Sequence, residues 1–312
     1  MRPRESAVKA SGRIARALFA LFGALLLSGC TGAFFQPDRL VHATPASLGL
    51  AYEPVTLQAA DGVELFAWFL PAQGETRGTL LFLHGNAENI STHFANIAWM
   101  PAQGFNVLAL DYRGYGGSQG APSIAGAQLD IDAALQALLA RRETAGRRVA
   151  ILGQSLGASL AIHYVAHSKY RDRVCALVAD SAFADYRLIV KEKLASFVLT
   201  WPLQWLPAIT VDDEYSPKRA VAAVSPIPLL LIHGEADQIV PAHHSRLLYE
   251  RAAEPKQLWL VPGAAHIQAM RDAQVRERLI DYLRKSCGEE SWRARRDSNP
   301  RPLASEANTL IR

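Results

Sequence analysis

Six short runs of apolar residues recur through the middle of the chain, and most of them are followed by a stretch with helical spacing. The runs cover 79–83, 106–110, 148–152, 175–179, 229–232 and 257–261. Continuous apolarity of this length is typical of strands that are buried on both faces. Helical patterns fall near 91–102, 123–142, 156–168, 241–252 and 268–285. This alternation predicts an α/β fold, with a mostly parallel central sheet and helices on both faces.

Two extended segments precede these runs and flank a tight turn. Residues 54–59 and 63–70 lie on either side of Asp61-Gly62, a pair that favours a β-hairpin turn. We therefore expect an antiparallel N-terminal hairpin at one edge of the sheet. A Pro-containing linker is expected over 30–51, and a single folded domain over 52–285.

The connection between the runs at 175–179 and 229–232 is longer than one helix requires. Its segment 184–210 contains Phe197, Trp201 and Trp205 together with two prolines. Two interpretations stay open, because amphipathic apolar stretches usually belong to the core. The segment is either a small lid over a pocket or a crossover helix with a packed loop.

The N-terminal residues have the pattern of an export signal. Five basic residues against one acidic residue give 1–29 a net charge of +4, which equals the charge of the whole chain. An apolar run at 17–27 follows, and it is too short to span a bilayer. The body is therefore not basic, and nucleic-acid binding is excluded on charge.

A cysteine ends the small residues that follow this run. The sequence Leu27-Ser28-Gly29-Cys30 resembles the lipobox of bacterial lipoproteins, in which cleavage precedes a lipidated cysteine. The resemblance implies a signal peptide over 1–29 and a membrane anchor at Cys30. Residue 31 is Thr rather than Asp, which favours the outer membrane, with the protein facing the periplasm.

The other two cysteines are Cys175 and Cys287. They could pair in an oxidising compartment, but Cys175 lies in a predicted buried strand and Cys287 lies near the tail. We therefore expect a buried free thiol at Cys175. The polar, Arg-rich tail over 286–312 has no structural period, and we expect it to be disordered.

One pentapeptide combines a nucleophile with the turn that would expose it. Gly153-Gln154-Ser155-Leu156-Gly157 follows an apolar run and precedes a helical pattern. A G-x-S-x-G sequence at a strand-to-helix turn is typical of a nucleophile elbow, in which small neighbours allow the backbone to approach closely. Ser155 is therefore the predicted nucleophile, with Gly153 and Gly157 in support.

A serine hydroxyl needs a base and an orienting acid, and both follow in the chain. Asp237 comes after the run 229–232, and His266 comes after the run 257–261. The carboxyl ends of parallel strands meet at one edge of the sheet, so Ser155, Asp237 and His266 are predicted to converge. Ser155 would attack, His266 would move the proton, and Asp237 would hold the imidazole.

Several rivals for these roles stay open. Glu235 and Asp180 are alternative acids, since each also follows a strand-like run. Three other histidines are alternative bases: His233, His243 and His244. Adjacent His243 and His244 lack the spacing of helical metal ligands, and an ordinary surface role is expected for them.

An acyl-transfer site also needs two N–H donors for the oxyanion. One would come from Leu156, directly after the nucleophile, and the other from the loop that follows the run 79–83. Asn86 is the preferred second donor, with Ala87 as its competitor. His84 would brace the loop by hydrogen bonding, or it simply caps the strand.

The glycine-rich loop 111–118 does not have the dinucleotide-binding spacing, because Gln119 occupies the last glycine position. Taken together, HGN, DYRGYGGS, GQSLG, GEAD and GAAH resemble the serine hydrolases of the α/β-hydrolase superfamily over about 52–285. The branch resembled includes protein depalmitoylases and monoacylglycerol lipases. The resemblance implies the α/β-hydrolase fold and hydrolysis of an ester or thioester.

The function expected is that of a membrane-anchored serine esterase acting on a small-molecule or lipid-like acyl ester. The alternatives are a peptidase or amidase with the same three residues, and a catalytically idle lipoprotein that binds a ligand. No metal or organic cofactor is implied, because the three side chains and the two N–H groups supply the chemistry.

Overall fold

The computed structural model of the protein describes residues 35–144 and 146–288. The predicted leader over 1–29, Cys30, and the tail from residue 289 onward lie outside these ranges. The predictions made for them are therefore not addressed by the structure.

An eight-stranded sheet forms the centre of the described chain. Its spatial order is β10-β9-β8-β7-β4-β6-β3-β2, and a separate two-stranded pairing joins β1 to β5. The strands are β1 (Gln36–Pro37), β2 (Glu53–Gln58), β3 (Glu64–Leu70), β4 (Gly78–Leu83), β5 (Ala87–Glu88), β6 (Phe105–Asp111), β7 (Val149–Gln154), β8 (Val174–Asp180), β9 (Leu229–Gly234) and β10 (Lys256–Val261). From β10 to β6 all pairs are parallel. The predicted fold class is confirmed, and so is the hairpin, because β3 pairs antiparallel with both β2 and β6.

Helices cover both faces of the sheet. They are α1 (Ile90–His93), α2 (Ile124–Ala140), α3 (Leu156–His167), α4 (Tyr186–Ala195), α5 (Pro207–Thr210), α6 (Pro217–Ala220), α7 (His243–Arg251) and α8 (Ala273–Cys287). The helix expected over 91–102 is wrong as a single element. The chain there forms α1 and the 3₁₀ turns Phe94–Asn96 and Pro101–Gln103. Pro101 has no N–H to continue a helix, and Gly104 turns the chain at a φ of 83°.

Alternate side chains of the strands feed two separate cores. On β4, Leu81 and Leu83 pack in the core that α2 and α3 cover. Leu80 and Phe82 pack in the opposite core, which α1 and α8 cover. The period-two alternation of strand side chains explains this division.

The segment expected to be a linker packs against the body over its described part. The Phe35 side chain is buried, and Gln36 pairs with Ala87 of β5. Farther along, the His42 N–H donates to Ser91 Oγ at 3.0 Å. The described part of this segment therefore contacts the loop after β4 and the start of α1.

A disulfide joins Cys175 to Cys287, with Cα atoms 5.0 Å apart. The expected free thiol at Cys175 is therefore wrong. The Cys175 side chain points from β8 into the core beneath α8, and α8 continues through Ser286 to Cys287 instead of ending before the tail. The contact could not be read from the sequence, because 112 positions separate the two cysteines.

Between residues 35 and 288, apart from residue 145, no helix is both long enough and apolar enough to cross a bilayer.

Candidate active site

Ser155 occupies the turn between β7 and α3. Its backbone has φ 54° and ψ −114°, a conformation in which a non-glycine residue is strained. This conformation places the Ser155 side chain outside both β7 and α3, which is the geometry of a nucleophile elbow. The Ser155 N–H donates to the Asp180 carbonyl at 2.8 Å, which ties the turn to the neighbouring strand.

Two glycines allow the elbow to pack against its surroundings. A Cβ on Gly153 would lie 2.5 Å from the Gly157 carbonyl oxygen, and a Cβ on Gly157 would lie 2.2 Å from the Leu83 carbonyl oxygen. Real Cβ atoms do not approach backbone atoms so closely. The supporting role predicted for both glycines therefore has a steric basis.

The structure brings the three predicted side chains into one hydrogen-bonded chain. His266 Nε2 lies 3.0 Å from Ser155 Oγ, and His266 Nδ1 lies 2.7 Å from Asp237 Oδ2. Each residue follows a different strand at the carboxyl edge of the sheet. The Ser155 hydroxyl can donate to the imidazole, while the Nδ1–H donates to the carboxylate.

Asp237 is held as an anion by its surroundings. Burial alone would raise the pKa of its carboxyl, but hydrogen bonds from His233 and His266 outweigh burial and hold that pKa below its ordinary value. Its Oδ1 also accepts from the backbone N–H groups of Ile239 and Val240, both at 2.8 Å. A charged, fixed acceptor at this point favours the tautomer that leaves His266 Nε2 free to accept a proton.

His233 supports the acid and is not placed as the base. Its Nε2 lies 2.8 Å from the Val240 carbonyl and 3.3 Å from Asp237 Oδ2. Its Nδ1 accepts from Ser245 Oγ at 2.6 Å. From the sequence His233 is only a rival base, because its position four residues before Asp237 carries no motif for a supporting role.

Asp180 reaches the site indirectly. It is fully buried, and its carboxylate accepts from Gln154 Nε2 at 2.8 Å and from Ser181 Oγ at 3.1 Å. Ser181 Oγ in turn accepts from the Ile267 N–H at 3.1 Å. Asp180 therefore orders the residues that flank Ser155 and His266, while Asp237 is the carboxylate bonded to the imidazole.

The remaining rivals lie away from the imidazole. Glu235 is exposed and lies 3.6 Å from Arg246. His243 and His244 both bond to Glu192, at 2.9 and 3.0 Å. Because His244 Nδ1 accepts from the Ala184 N–H, its Nε2 keeps the hydrogen in the neutral ring. The trio is therefore satisfied as a hydrogen-bonded group, although its atoms are close enough together for metal ligands.

The loop after β4 lies beside the nucleophile. A Cβ on Gly85 would lie 3.6 Å from the Ser155 Cβ. The Asn86 side chain is already used, since its Oδ1 accepts from the Gln36 N–H and from the Tyr115 hydroxyl. The oxyanion would be bound by backbone donors, the N–H of Asn86 from this loop and the N–H of Leu156, which is the first residue of α3. The competitor Ala87 lies in β5.

His84 and His93 brace this loop. His84 Nδ1 donates to the Gly85 carbonyl at 2.7 Å, and burial lowers the pKa of His84 to about 3. His93 Nε2 donates to the Ala87 carbonyl at 3.0 Å, and burial lowers the pKa of His93 too. The contact of His84 with Gly85 supports the prediction that His84 braces this loop. His93 was missed, because it stands in a short helix with no recognisable spacing to the other residues.

The chain is similar in sequence to several known proteins. The family Hydrolase_4, described as serine aminopeptidase S33, matches residues 74–224. The protein YfhR of Escherichia coli K12, itself uncharacterised, is 34% identical over 257 residues, which cover 80% of this chain and 86% of YfhR. The α/β-hydrolase domain-containing protein WAV2 of Arabidopsis thaliana is 34% identical over 256 residues, covering 76% of this chain and 82% of WAV2. The chain belongs to the α/β-hydrolase family. Because the matched family model describes enzymes with a catalytic serine, this α/β-hydrolase is a serine hydrolase.

Solved structures agree on the fold. An esterase of Pyrococcus furiosus, Pf2001, superposes with a TM-score of 0.68 at 23% sequence identity, covering 82% of this chain and 99% of the esterase. The esterase domain of a Rhodothermus marinus protein superposes with a TM-score of 0.56 at 21% identity, covering 77% of this chain and 100% of that domain. At sequence identities of 23% and 21%, the two superpositions show that the fold is shared.

Proposed function

We propose that this hydrolase cleaves carboxylic esters or thioesters through an acyl-enzyme, with Ser155 as nucleophile, His266 as base and Asp237 as orienting acid. The single observation that carries the proposal is the hydrogen-bonded chain from Ser155 Oγ through His266 to Asp237 Oδ2. The strained backbone of Ser155 supports it, because a strained residue at a strand-to-helix turn is typical of nucleophiles in this family.

In the first step Ser155 Oγ bonds to the acyl carbon while its proton moves to His266 Nε2. The negative charge of the tetrahedral intermediate falls on the carbonyl oxygen, where the N–H groups of Leu156 and Asn86 would stabilise it. The bond to the alcohol or thiol breaks, and His266 returns the proton to that leaving group. Water then repeats the sequence on the acyl-enzyme, releasing the acid and restoring Ser155.

An acyl ester or thioester is the favoured substrate class. Esters need less assistance to the leaving group than amides do, and two of the structures that share the fold are esterases. The description of the matched family as serine aminopeptidases favours a second candidate, a peptidase that uses the same three residues. A catalytically idle lipoprotein is disfavoured by the hydrogen bonds that join Ser155, His266 and Asp237.

The test compares a p-nitrophenyl acyl ester series with aminoacyl p-nitroanilides, using the parent chain and Ser155→Ala. We expect ester hydrolysis that depends on Ser155 and little anilide hydrolysis. Anilide turnover above ester turnover would move the assignment to the peptidase. Hydrolysis of both substrates that persists unchanged in Ser155→Ala would remove the proposed mechanism.

We also propose that the hydrolase is anchored by lipid at Cys30 to a bacterial envelope membrane, with the outer membrane favoured, and that it faces the periplasm. The lipobox resemblance at 27–30 motivates it. The Cys175–Cys287 disulfide supports it, because disulfides persist in oxidising compartments. Cells fed labelled palmitate should label the parent chain but not Cys30→Ala, and equal labelling of both would contradict the anchor.

A further inference from the structure

One segment of the described chain exposes apolar side chains instead of burying them. Residues 194–211 contain no Asp, Glu, Lys or Arg. Val198 and Leu199 are 92% and 93% exposed, and Phe197 is also exposed. The same is true of Trp201, Leu203, Trp205 and Ile209. A run of exposed apolar side chains of this length is typical of an interaction site.

This surface, which we call the apolar flap (residues 197–209), lies at the edge of the sheet that carries the active site. It follows α4, which begins beyond the carboxyl end of β8. At the end of α4, Glu192 bonds to His243 and His244, and Lys193 Nζ donates to the Gln238 carbonyl at 3.3 Å. Gln238 directly follows Asp237, so the flap is tied to the loop that supplies the acid.

More exposed apolar side chains belong to the same edge. Ile239, in the acid loop, is exposed, and so are Leu40 and Val41 near the start of the described chain. The carbonyl of Leu40 accepts from Asn89 Nδ2 at 2.7 Å, which places this stretch against the loop after β4. Exposed apolar groups therefore belong both to the acid loop, which leads to Asp237, and to the stretch that contacts the loop after β4.

The position of Gln36 relates the exposed apolar side chains to the proposed lipid anchor. The Gln36 N–H donates to Asn86 Oδ1, which places Gln36 beside the loop after β4. Cys30, the proposed lipid anchor, precedes Gln36 by six positions. Six residues span at most about 21 Å, so an anchor at Cys30 would hold this edge close to the bilayer surface.

We propose that the apolar flap, together with Leu40, Val41 and Ile239, docks on a lipid bilayer and turns the entrance of the active site toward it. The composition of the flap fits that partner. Tryptophan favours the membrane interface, where its ring is apolar and its N–H stays hydrated. Because the flap has no charge, docking depends on apolar burial and does not require anionic lipid.

Docking of this kind deepens the proposed function by naming how the substrate arrives. An acyl ester whose chain lies in the bilayer could reach Ser155 without first dissolving in water. This part of the inference rests on the proposed esterase activity, whereas docking itself rests on the exposed apolar side chains and on the proposed anchor at Cys30.

The test places a fluorescent thiol label on the flap in the full chain. In a Cys30→Ala background, Leu199→Cys carries an environment-sensitive label, and Lys169→Cys carries the control label. Lys169 follows the far end of α3, at the opposite edge of the sheet, and its side chain is 69% exposed. Vesicles of phosphatidylcholine, with and without doxyl-labelled lipid, are added at low and high salt.

The label at position 199 should shift to shorter wavelength on vesicles and lose most of its emission to the doxyl lipid, equally at both salt concentrations. The label at position 169 should keep its emission. Equal quenching at both positions, or none at position 199, would overturn the inference. A wavelength shift without vesicles that grows with protein concentration would also overturn it, in favour of a second copy of the chain as the partner.

An activity measurement separates docking from catalysis. Phe197→Ser combined with Leu199→Ser should lower hydrolysis of a vesicle-borne long-chain ester by on the order of tenfold or more, because each apolar group lost weakens partitioning. Hydrolysis of a short water-soluble ester should be unchanged. An equal rate on the vesicle-borne ester would contradict docking. If the parent chain cleaves neither ester, the proposed function fails, and the label measurement still decides docking.

Discussion

His266 Nε2 lies 3.0 Å from Ser155 Oγ, although 111 positions separate the two residues. The distance is that of a hydrogen bond, so the hydroxyl proton already has its acceptor before any substrate binds. Each residue sits just beyond a parallel strand, and the shared carboxyl edge of the sheet is what brings them together.

The acid can be tested by changing one atom. Asp237→Asn should keep the fold but lower kcat by on the order of 10⁴, because an amide NH₂ next to His266 Nδ1 favours the wrong imidazole tautomer. Steady-state kinetics on a soluble ester measures the effect. Glu235→Gln, two residues away on the surface, is the matched control and should retain full activity. Equal activity in both variants would show that Asp237 does not orient His266.

Gly157, two residues after the nucleophile, predicts a stability change opposite in direction to that of an ordinary helical glycine. In an ordinary helix Gly→Ala stabilises by about 1 kcal/mol. Gly157→Ala should instead lower the free energy of unfolding by about 1–3 kcal/mol, because its Cβ would lie 2.2 Å from the Leu83 carbonyl oxygen. Denaturant titration measures the change. A variant more stable than the parent would mean that the elbow is not packed against β4.

The disulfide should contribute to stability. Cys287→Ala should lower the free energy of unfolding by about 2–5 kcal/mol, because it releases a loop closed over a long stretch of chain. Chemical denaturation with and without reductant measures it. Reductant should bring the parent chain down to the variant and leave the variant unchanged, while Cys30→Ala should behave like the parent. A parent chain indifferent to reductant would argue against the bond.

A buried carboxyl next to His84 predicts how stability depends on pH. Burial raises the pKa of Asp111 to about 7, and the hydrogen bonds from Ile90 and Gly117 only partly oppose that rise. An acid whose pKa is higher in the folded state than in the unfolded state favours folding most at low pH. That contribution is lost as pH rises through the folded-state value.

The comparison variant is Asp111→Asn. The free energy of unfolding of the parent minus that of the variant should fall between about pH 4 and about pH 7, by at most about 1.4 kcal/mol per pH unit, and level off above. Denaturant titrations across this range measure the difference. A constant difference would show that Asp111 titrates normally.

Most of the fold and the three central side chains follow from local sequence patterns. The apolar runs mark the strands, and Ser155, Asp237 and His266 each stand directly after one of them. Because the strands of a parallel sheet all run in one direction, residues that follow different strands lie at the same edge. The close approach of Gly157 to Leu83 is likewise anticipated by the requirement for a small residue beside the nucleophile.

Other features depend on contacts that local patterns do not encode. The pairing of Cys175 with Cys287 arises from the way α8 crosses β8, and burial of one partner alone suggests a free thiol. His233 and His93 acquire their partners through loop geometry. The exposure of Leu199 could not be predicted from the sequence either. Apolar periodicity predicts burial, and it does not reveal whether another element covers the segment.

Covalent labelling of the nucleophile tests the central claim, that Ser155 is activated by His266. The folded chain is treated with a fluorophosphonate, and the modified peptide is identified by mass spectrometry, alongside Ser155→Ala and His266→Ala. The hydrogen-bonded chain predicts a single adduct on Ser155, absent from Ser155→Ala and formed far more slowly in His266→Ala. A folded protein that remains unlabelled, or an adduct that persists in Ser155→Ala, would contradict the proposed mechanism.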